Sequence, residues 1–375
     1  MAENQSPQHN RYENDEHYMK LALQLAEATR GQTSPNPMVG CVIVKDRTII
    51  GVGSHLKAGE AHAEILALAM AGDKARGATA YVTLEPCSHH GRTPPCAEAL
   101  IREGVSRVVI AMLDPNPLVA GQGAQKLEEA GIQVITGVCE AQARQLNEVF
   151  SKFITTGLPF VTVKTAMTLD GKVATETGNS RWITGEAARL DVHRIRHEHD
   201  AILVGIGTVL QDNPQLTTRL PNGGKNPLRV ILDSALRVPP EAHVVRDGQA
   251  PTWIFTTSRA CPDKRKLLER QGLRVLSAGA GDQVDIAEVM RILGKENITS
   301  LFVEGGSQIN SAFLHARAID KVITYVAPKI VAGQTAPSPF GGPGIEEMSR
   351  AISLADITVE KISEDIKISG YPVWR

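Results

Sequence analysis

The sequence lacks the features expected of a nucleic-acid-binding, exported or membrane protein. Its 40 Lys and Arg balance 41 Asp and Glu, and a formal net charge of −1 disfavours a broad surface for a phosphate backbone. No apolar run approaches the roughly 18 residues that a membrane helix needs, and the polar start of the chain has no secretory core. We therefore expect a cytoplasmic protein with neither a nucleic-acid nor a membrane partner.

Cysteine is also scarce, and a familiar nucleotide-binding motif is missing. Five cysteines form an odd number in a chain of 375 residues, which favours free thiols or metal ligands in a reducing compartment over disulfides. No G-x-G-x-x-G occurs, so a Rossmann domain is disfavoured. The length suits two domains rather than one core.

The order of apolar runs predicts two α/β domains. We expect a disordered polar tail over residues 1–14, a first domain over 15–150 and a second over 151–375. In both domains strands alternate with helices, which indicates parallel strands with helices packed against them. The predicted strands are 39–53 (a hairpin around Lys45-Asp46-Arg47), 78–84, 107–113, 132–138, 159–167, 201–205, 228–233, 252–257, 273–277, 300–306 and 321–328.

Two short segments of the first domain carry residues that suit a zinc ion. Residues 61–64 read AHAE and residues 85–96 read EPCSHHGRTPPC. His62, Cys87 and Cys96 offer one imidazole and two thiolates, and a catalytic zinc site keeps the fourth position for water. Glu64 lies two residues after His62, where helical side chains diverge, so it suits proton transfer better than zinc ligation.

The match to the zinc deaminase signature is incomplete. His62-Ala63-Glu64 and Pro86-Cys87 fit H-x-E followed by P-C-x-x-C, whereas the second cysteine comes after a C-x8-C spacing. Three readings therefore stay open from the spacing alone. They are a catalytic zinc, a structural zinc with His89 or His90 as fourth ligand, and thiols that share no metal.

Neighbouring polar residues could contact a ligand beside such a metal. Arg92 can hold a phosphate or a carboxylate, although alone it is better read as a solvated turn residue. Asn36, in the S-P-N-P loop, offers a donor and an acceptor to a pyrimidine edge, although alone it too is better read as a turn residue.

These segments together resemble a known family. TSPNPMVGCVIV, GEAHAE and EPCSHHGRTPPC resemble the pyrimidine deaminase domain of the bifunctional RibD family of riboflavin biosynthesis. The resemblance implies a cytidine-deaminase-like fold and hydrolytic deamination of 2,5-diamino-6-(5-phosphoribosylamino)-4(3H)-pyrimidinone. It also implies zinc ligation by His62, Cys87 and Cys96, proton transfer by Glu64, and substrate contacts from Asn36, His89 and Arg92.

In the second domain, an apolar strand runs into a glycine turn and a helix. Residues 300–310 read SLFVEGGSQIN, and such a turn can present helix amides to an anion such as a dinucleotide phosphate. Many turns of this kind bind nothing. KTAMTLDGKVATETGNSRWIT (164–184) has polar residues at the ends of an apolar strand. VGIGTVLQDNPQLTTR (204–219) is predicted as a strand followed by a loop that carries Thr208, Asp212, Asn213 and Arg219, although Asp-Asn-Pro alone is better read as a simple turn.

These segments resemble the reductase domain of the same family, which is similar to dihydrofolate reductase. The resemblance implies NADPH-dependent reduction of the ribosyl group to a ribityl chain. Lys164 is the first choice for a proton donor, and Arg196 has the alternative reading of a solvated helix face. The implied NADPH contacts are Ala166, Trp182, Thr208, Asp212, Ser234, Gly305, Gly306, Ser307, Gln308 and Ile309. The implied substrate contacts are Lys164, Ser180, Arg196, Leu216, Arg219 and Glu304.

Two other functions compete with a bifunctional enzyme. One is a zinc deaminase for nucleosides or tRNA with a non-catalytic C-terminal binding domain, which the x8 loop and the lack of basic charge disfavour. The other is a non-catalytic binding protein that zinc stabilises. The family resemblance also suggests a homo-oligomer, a dimer or larger, that acts on a small phosphoribosyl-pyrimidine.

Overall fold

The chain divides into two compact units, Met1–Gly157 and Leu158–Arg375. The computed structural model describes the backbone of residues 7–88, 95–117 and 119–374, and the side chains of these residues from Asn14 onward. The division falls seven residues after the predicted junction at 150, because a helix, Glu148–Thr156, crosses that position. Gly157 ends this helix in the left-handed conformation (φ 69°) that glycine adopts without strain.

The N-terminal unit is a mixed five-stranded sheet with helices packed against it. The sheet order is β2-β1-β3-β4-β5, in which β1 runs antiparallel to β2 and β3, while β3, β4 and β5 are parallel. Its elements are α1 (Pro7–Glu27), β1 (Gly40–Lys45), β2 (Thr48–Ser54), α2 (Ala63–Ala71), β3 (Thr79–Leu84), α3 (Cys96–Arg102), β4 (Arg107–Met112), α4 (Gln122–Glu129), β5 (Gln133–Thr136), α5 (Glu140–Leu146) and α6 (Glu148–Thr156).

The first helix begins at Pro7, whereas the sequence predicted a tail as far as residue 14. Proline suits a first helical turn, and no glycine or second proline interrupts the residues that follow. Asp15 then fixes the helix on the sheet, because its buried carboxylate accepts hydrogen bonds from Arg107 at 2.9 and 2.6 Å and from Tyr81 at 2.9 Å. The hairpin predicted around residues 45–47 is present as β1 and β2.

The C-terminal unit is a nine-stranded sheet in the order β10-β9-β8-β7-β11-β6-β12-β14-β13. The strands from β10 to β12 are parallel, and β14 and β13 are antiparallel to their neighbours. The elements are β6 (Phe160–Thr168), α7 (Glu186–Glu198), β7 (Ala201–Gly205), α8 (Ile206–Asp212), β8 (Leu228–Leu232), α9 (His243–Arg246), β9 (Thr252–Thr256), α10 (Pro262–Arg270), β10 (Arg274–Ser277), α11 (Ile286–Lys295), β11 (Ser300–Val303), α12 (Ser307–His315), β12 (Lys321–Ala327), β13 (Leu354–Ile362) and β14 (Asp365–Pro372).

Two features of this unit differ from the sequence prediction. Residues 206–212 form α8 rather than a loop, because the chain turns into a helix directly at Gly205, where β7 ends. The hairpin of β13 and β14 was not predicted, and most of β13 is exposed, so it has no buried apolar run. Among the described residues, no helix is both long and apolar enough to cross a membrane.

The sheet order brings four chain segments together at one edge. Strands β8, β7, β11 and β6 are consecutive neighbours and parallel, so their carboxyl ends lie side by side. Ligands of open parallel sheets bind at this edge. The segments that follow these strands carry most of the residues predicted to bind a cofactor.

Candidate functional sites

Three residues from separate elements of the N-terminal unit form a cluster of metal-ligating atoms. His62 is the residue before α2, Cys87 lies three residues after β3, and Cys96 begins α3. Their ligand atoms all lie within 4.8 Å of one another. The His62 Nδ1 atom is 3.2 Å from Cys96 Sγ and 3.6 Å from Cys87 Sγ.

The two thiols of this cluster interact strongly. The pKa of Cys87 is lowered to about 4, chiefly because the Cys96 thiol donates a hydrogen bond to it, with the Cys96 backbone N–H also 3.3 Å from its sulfur. The pKa of Cys96 is raised, chiefly by the same bond and then by burial. Both sulfurs thus lie beside the His62 Nδ1 atom, an arrangement in which a cation can bind both cysteines as thiolates.

Glu64 lies beside the cluster, and its carboxylate is deeply buried. Burial raises the pKa of Glu64 to about 7, and its Oε2 atom has no hydrogen-bond partner among the described atoms. An orphaned buried oxygen next to one nitrogen and two sulfur donors is what an open zinc position requires. The residues present therefore fit zinc.

Asn36 is linked to the metal cluster through a residue that the sequence analysis missed. Its Nδ2 atom lies 3.0 Å from Nε2 of the buried His55, whose Nδ1 lies 3.2 Å from the Ala61 carbonyl oxygen. The rings of His55 and His62 meet edge-on with centroids 5.3 Å apart. If His55 is protonated on Nδ1, it accepts from Asn36 and leaves the Asn36 Oδ1 atom for a ligand.

Two residues predicted to bind substrate cannot be placed. His89 and Arg92 lie outside the described residues, as does His90. The substrate contacts assigned to His89 and Arg92 therefore stay predictions. A structural zinc with His89 or His90 as its fourth ligand stays a prediction as well.

In the C-terminal unit, three of the predicted substrate contacts form a buried charge cluster. Arg196 donates to Glu304 at 2.5 and 3.1 Å and to the Thr217 carbonyl at 2.9 Å, and the Lys164 Nζ atom lies 3.7 Å from Glu304. Burial acts to raise the pKa of Glu304, but Arg196 and Lys164 hold it at about 2. Burial lowers the pKa of Lys164. The reading of Arg196 as a solvated helix face is therefore wrong.

Positive charge exceeds negative charge around Glu304. Burial and then the charge of Arg196 lower the pKa of Arg219, which donates to Gln215 at 3.1 Å and to the Thr217 hydroxyl at 3.3 Å. His193 lies on the same helix as Arg196, and burial with the charges of Arg196 and Arg219 lowers its pKa to about 4. Three cations around one carboxylate suit a dianionic phosphate.

The glycine turn after β11 has room for a phosphate. A Cβ at Gly305 would lie 2.6 Å from the Cβ of Ile309, whereas one at Gly306 would have no described atom within 4 Å. Gly306 precedes α12, whose first amides have no partner within the helix. At Gly305 the backbone packs closely against the Ile309 side chain, and at Gly306 it faces open space at the start of α12. This open space beside the helix amides fits a dinucleotide phosphate.

The remaining predicted contacts lie on β6 and on the segments that follow β6, β7 and β8, and two of them, Thr208 and Asp212, are in α8. Trp182 is exposed and packs under Arg189, with the guanidinium carbon 4.6 Å from the ring centroid. The Arg181 guanidinium lies 3.6 Å from the Asp212 carboxylate. Ala166 on β6, Ser180, Thr208 and Ser234 are partly exposed, whereas Leu216 is buried with a φ of 53°.

Sequence reasoning missed two buried residues of the N-terminal site, His55 and Glu85. His55 lies directly after β2 and seven residues before His62, and Glu85 lies two residues before Cys87. The available signal was a polar residue directly after a strand and close to a metal ligand, and only the strand before Glu85 is a buried one. This signal was not decisive because the hydrogen-bond partners that reveal the two roles are distant in sequence: Asn36 for His55, and the start of α4 for Glu85.

Comparison with known proteins identifies both units. The model of the cytidine and deoxycytidylate deaminase zinc-binding region matches residues 12–112, and that of the RibD C-terminal domain matches residues 159–368. The chain is 51% identical to the riboflavin biosynthesis protein RibD of Bacillus amyloliquefaciens, over 96% of each chain, and 43% identical to that of Escherichia coli K12, over 94% and 98%.

Solved structures agree along nearly the whole chain. Acinetobacter baumannii RibD is 41% identical, with a TM-score of 0.87 over 97% of this chain and 100% of that one. A diaminohydroxyphosphoribosylaminopyrimidine deaminase/5-amino-6-(5-phosphoribosylamino)uracil reductase from Thermotoga maritima is 38% identical, with a TM-score of 0.84 over the same shares.

These matches confirm the α/β fold class, with a cytidine-deaminase-like domain ahead of a reductase domain. They also confirm the predicted use of zinc and NADPH, and they do not favour a deaminase with a non-catalytic second domain. The chain belongs to the RibD family of bifunctional riboflavin biosynthesis enzymes, with a deaminase and a reductase in one polypeptide.

Proposed function

We propose that His62, Cys87 and Cys96 hold the zinc and that the N-terminal unit deaminates 2,5-diamino-6-(5-phosphoribosylamino)-4(3H)-pyrimidinone. The observation that carries this proposal is the convergence of the three ligand atoms within 4.8 Å beside the buried Glu64 carboxylate, whose Oε2 atom has no hydrogen-bond partner in the described part of the chain. Zinc bound there supplies a Lewis acid that makes water a competent nucleophile near neutral pH.

Glu64 moves the proton in this reaction. Because burial raises its pKa to about 7, the carboxyl group can accept one proton from water and deliver it to the ring nitrogen. It can then carry the second water proton, released as the carbonyl forms, to the amine, which leaves as ammonia. Asn36, oriented by His55, binds the pyrimidine edge with its amide.

In the C-terminal unit, the cation cluster binds the substrate and the strand ends bind the cofactor. Lys164, Arg196 and Arg219 hold the phosphoribosyl group, with Glu304 fixing the first two. The turn from Gly305 to Ile309 binds the NADPH phosphates, and Trp182, Thr208, Asp212 and Ser234 complete the cofactor site. NADPH supplies the hydride, and the product is 5-amino-6-(5-phosphoribitylamino)uracil.

Lys164 is the proposed proton donor of the reduction. It is buried, its pKa is lowered, and the Glu304 carboxylate lies 3.7 Å from its Nζ atom. A lysine with a lowered pKa releases its proton more readily than a solvated one. Ser180 and Leu216 shape the same pocket as substrate contacts.

The deaminase proposal is tested with Glu64→Gln in the full chain. We expect zinc content equal to that of the wild type, loss of ammonia release, and unchanged NADPH oxidation when the deaminated intermediate is supplied. Glu140→Gln, on the surface of the same unit, is the matched control. Unchanged ammonia release by Glu64→Gln would remove the role assigned to Glu64.

The reductase proposal is tested with Lys164→Ala, and Lys295→Ala is an exposed control in the same unit. We expect Lys164→Ala to lower kcat for NADPH oxidation and to leave ammonia release intact. Normal reductase kinetics in this variant would exclude Lys164 as the donor. Ammonia release by the wild type without NADPH oxidation would leave the C-terminal site without a function.

We also propose a homo-oligomer that works in the cytoplasm and binds no nucleic acid. Strand β13 is at the edge of its sheet and exposes Ile357 and Val359, as strands that pair with a second copy do. Thiolate zinc ligands need a reducing compartment, and a net charge of −1 offers little to a phosphate backbone. Sedimentation velocity measures the oligomeric state, and a monomer at micromolar concentration would contradict the first point.

A further inference from the structure

The buried carboxylate of Glu85 gathers backbone amides from the loop between β4 and α4. Its Oε2 atom accepts from the N–H groups of Asp114 at 3.0 Å and Gly121 at 2.9 Å. Its Oε1 atom accepts from those of Gly123 at 2.7 Å and Ala124 at 3.2 Å. The residue is 6% exposed, so these four charge-assisted hydrogen bonds are shielded from water.

The amides that Glu85 binds include those at the start of α4. Gly123 and Ala124 lie in the first turn of this helix, where backbone N–H groups have no partner of their own within the helix. Glu85 therefore caps α4 from a different chain segment, 38 and 39 residues away. The carboxylate also complements the positive end of the helix dipole.

This capping brings α4 against the backbone that carries a proposed zinc ligand. A Cβ at Gly123 would collide with the carbonyl oxygen of Pro86, the residue before Cys87. On the other side, the Ala97 N–H donates to the Cys87 carbonyl at 3.2 Å, and the Cys96 N–H lies 3.3 Å from its sulfur. Cys87 is thus held between the first turns of α3 and α4.

We propose that Glu85 is a positioning residue that sets the geometry of the zinc ligands through the Pro86-Cys87 backbone. Among the described contacts its carboxylate binds backbone amides between residues 114 and 124 and no proposed ligand atom, so it acts through this segment and the Pro86 carbonyl packed against it. The inference rests on the proposed zinc site at His62, Cys87 and Cys96. Partners that orient metal ligands typically change metal affinity by about 10–100-fold when they are mutated.

The test compares Glu85→Gln with Gly123→Ala in the full chain. Gln keeps one acceptor oxygen and turns an NH2 group toward two backbone N–H groups. Ala at 123 keeps the Glu85 carboxylate, but its Cβ would lie 2.0 Å from the Pro86 carbonyl oxygen and 3.2 Å from Glu85 Oε1, so it separates α4 from both residues. Both variants should therefore disturb Cys87, by different routes. Glu140→Gln, which removes an exposed carboxylate of the same unit, is the matched control.

Zinc dissociation constants, measured by chelator competition, should weaken about 10-fold or more in both variants and stay unchanged in the control. After replacement by Co²⁺, the absorption bands of the metal should shift in both variants, because they report the arrangement of the ligands. NADPH oxidation with the deaminated intermediate as substrate should be unchanged in every variant, which shows that the C-terminal unit has folded, and circular-dichroism melts report the folding of the N-terminal unit.

Zinc affinity and Co²⁺ absorption equal to those of the wild type in Glu85→Gln would overturn the proposal. A Glu85→Gln protein that unfolds more easily, yet gives the wild-type Co²⁺ spectrum, would show a purely stabilising role and would overturn it too. Failure of the wild type itself to bind zinc would instead remove the metal site on which the inference depends.

Discussion

Replacing Glu304 with glutamine removes the carboxylate that Lys164 and Arg196 share in the interior of the reductase unit. The side chains of Lys164, Arg196 and Glu304 are 17%, 12% and 11% exposed. Glutamine keeps the size of the side chain, so no cavity forms. It leaves two buried cations without their counter-charge. Removing one partner of a buried ion pair destabilises a protein more than replacing the whole pair with apolar residues.

Two estimates give a similar loss of unfolding free energy for Glu304→Gln. The interactions of folded Glu304 hold its pKa at about 2 instead of 4.5, which corresponds to about 3 kcal/mol at neutral pH. Removal of one partner from a buried pair typically destabilises a protein by about 3–5 kcal/mol. With a urea dependence of about 2–3 kcal/mol per molar, the unfolding midpoint should fall by about 1–2.5 M.

The chain provides its own probe for this measurement. Its three tryptophans, Trp182, Trp253 and Trp374, all lie in the C-terminal unit, so tryptophan fluorescence reports the unfolding of that unit alone. Glu296→Gln is the matched control, because its carboxylate pairs with Arg274 at the surface of the same unit. An exposed pair contributes about 1 kcal/mol or less, so this control should barely shift the midpoint.

A midpoint for Glu304→Gln within error of that for Glu296→Gln would refute the reasoning. The pH dependence supplies a second check. The folded pKa of Glu304 lies below its unfolded value, so its contribution is complete above about pH 4.5 and is lost as the pH falls toward about 2. The difference between wild type and Glu304→Gln should shrink over that range and stay constant above it.

Three further predictions concern packing and loops. Gly205→Ala places a Cβ 2.7 Å from Ile309 Cγ1 and should raise the KM for NADPH about 10-fold. Gly207→Ala, whose Cβ would have no described atom within 4 Å, is the control and should leave the KM unchanged. Recovery of the KM in the double variant Gly205→Ala/Ile309→Ala would confirm the clash, and no recovery would contradict it. Asp15→Asn leaves Arg107 buried without its carboxylate and should destabilise the N-terminal unit by about 3–5 kcal/mol in circular-dichroism melts, with the tryptophan transition unmoved. Asp170→Asn should speed hydrogen exchange at the amides of Val331 and Ala332, which donate to its carboxylate at 3.2 and 2.8 Å; unchanged exchange would show that other contacts hold this loop.

The sequence predicted the fold most accurately where the signal is local. Buried parallel strands such as β7 and β11 read as short apolar runs, and the hairpin of β1 and β2 is marked by the polar turn at Asp46 and Arg47, both at positive φ. The hairpin of β13 and β14 escaped prediction because β13 is largely exposed and lacks such a run. Helix α8 was missed because its apolar residues follow β7 with no polar break.

The same contrast applies to the two sites. Residue type and spacing alone made His62, Glu64, Cys87 and Cys96 candidates for a zinc site and left three readings open, and the family resemblance then favoured a catalytic zinc. Only the tertiary structure decided that Arg196 is buried against Glu304, 108 residues away, instead of lying on a solvated helix face. It likewise decided that Glu85 caps α4. A charged side chain chooses its partner when packing removes it from water, and residues that are distant in sequence determine that packing.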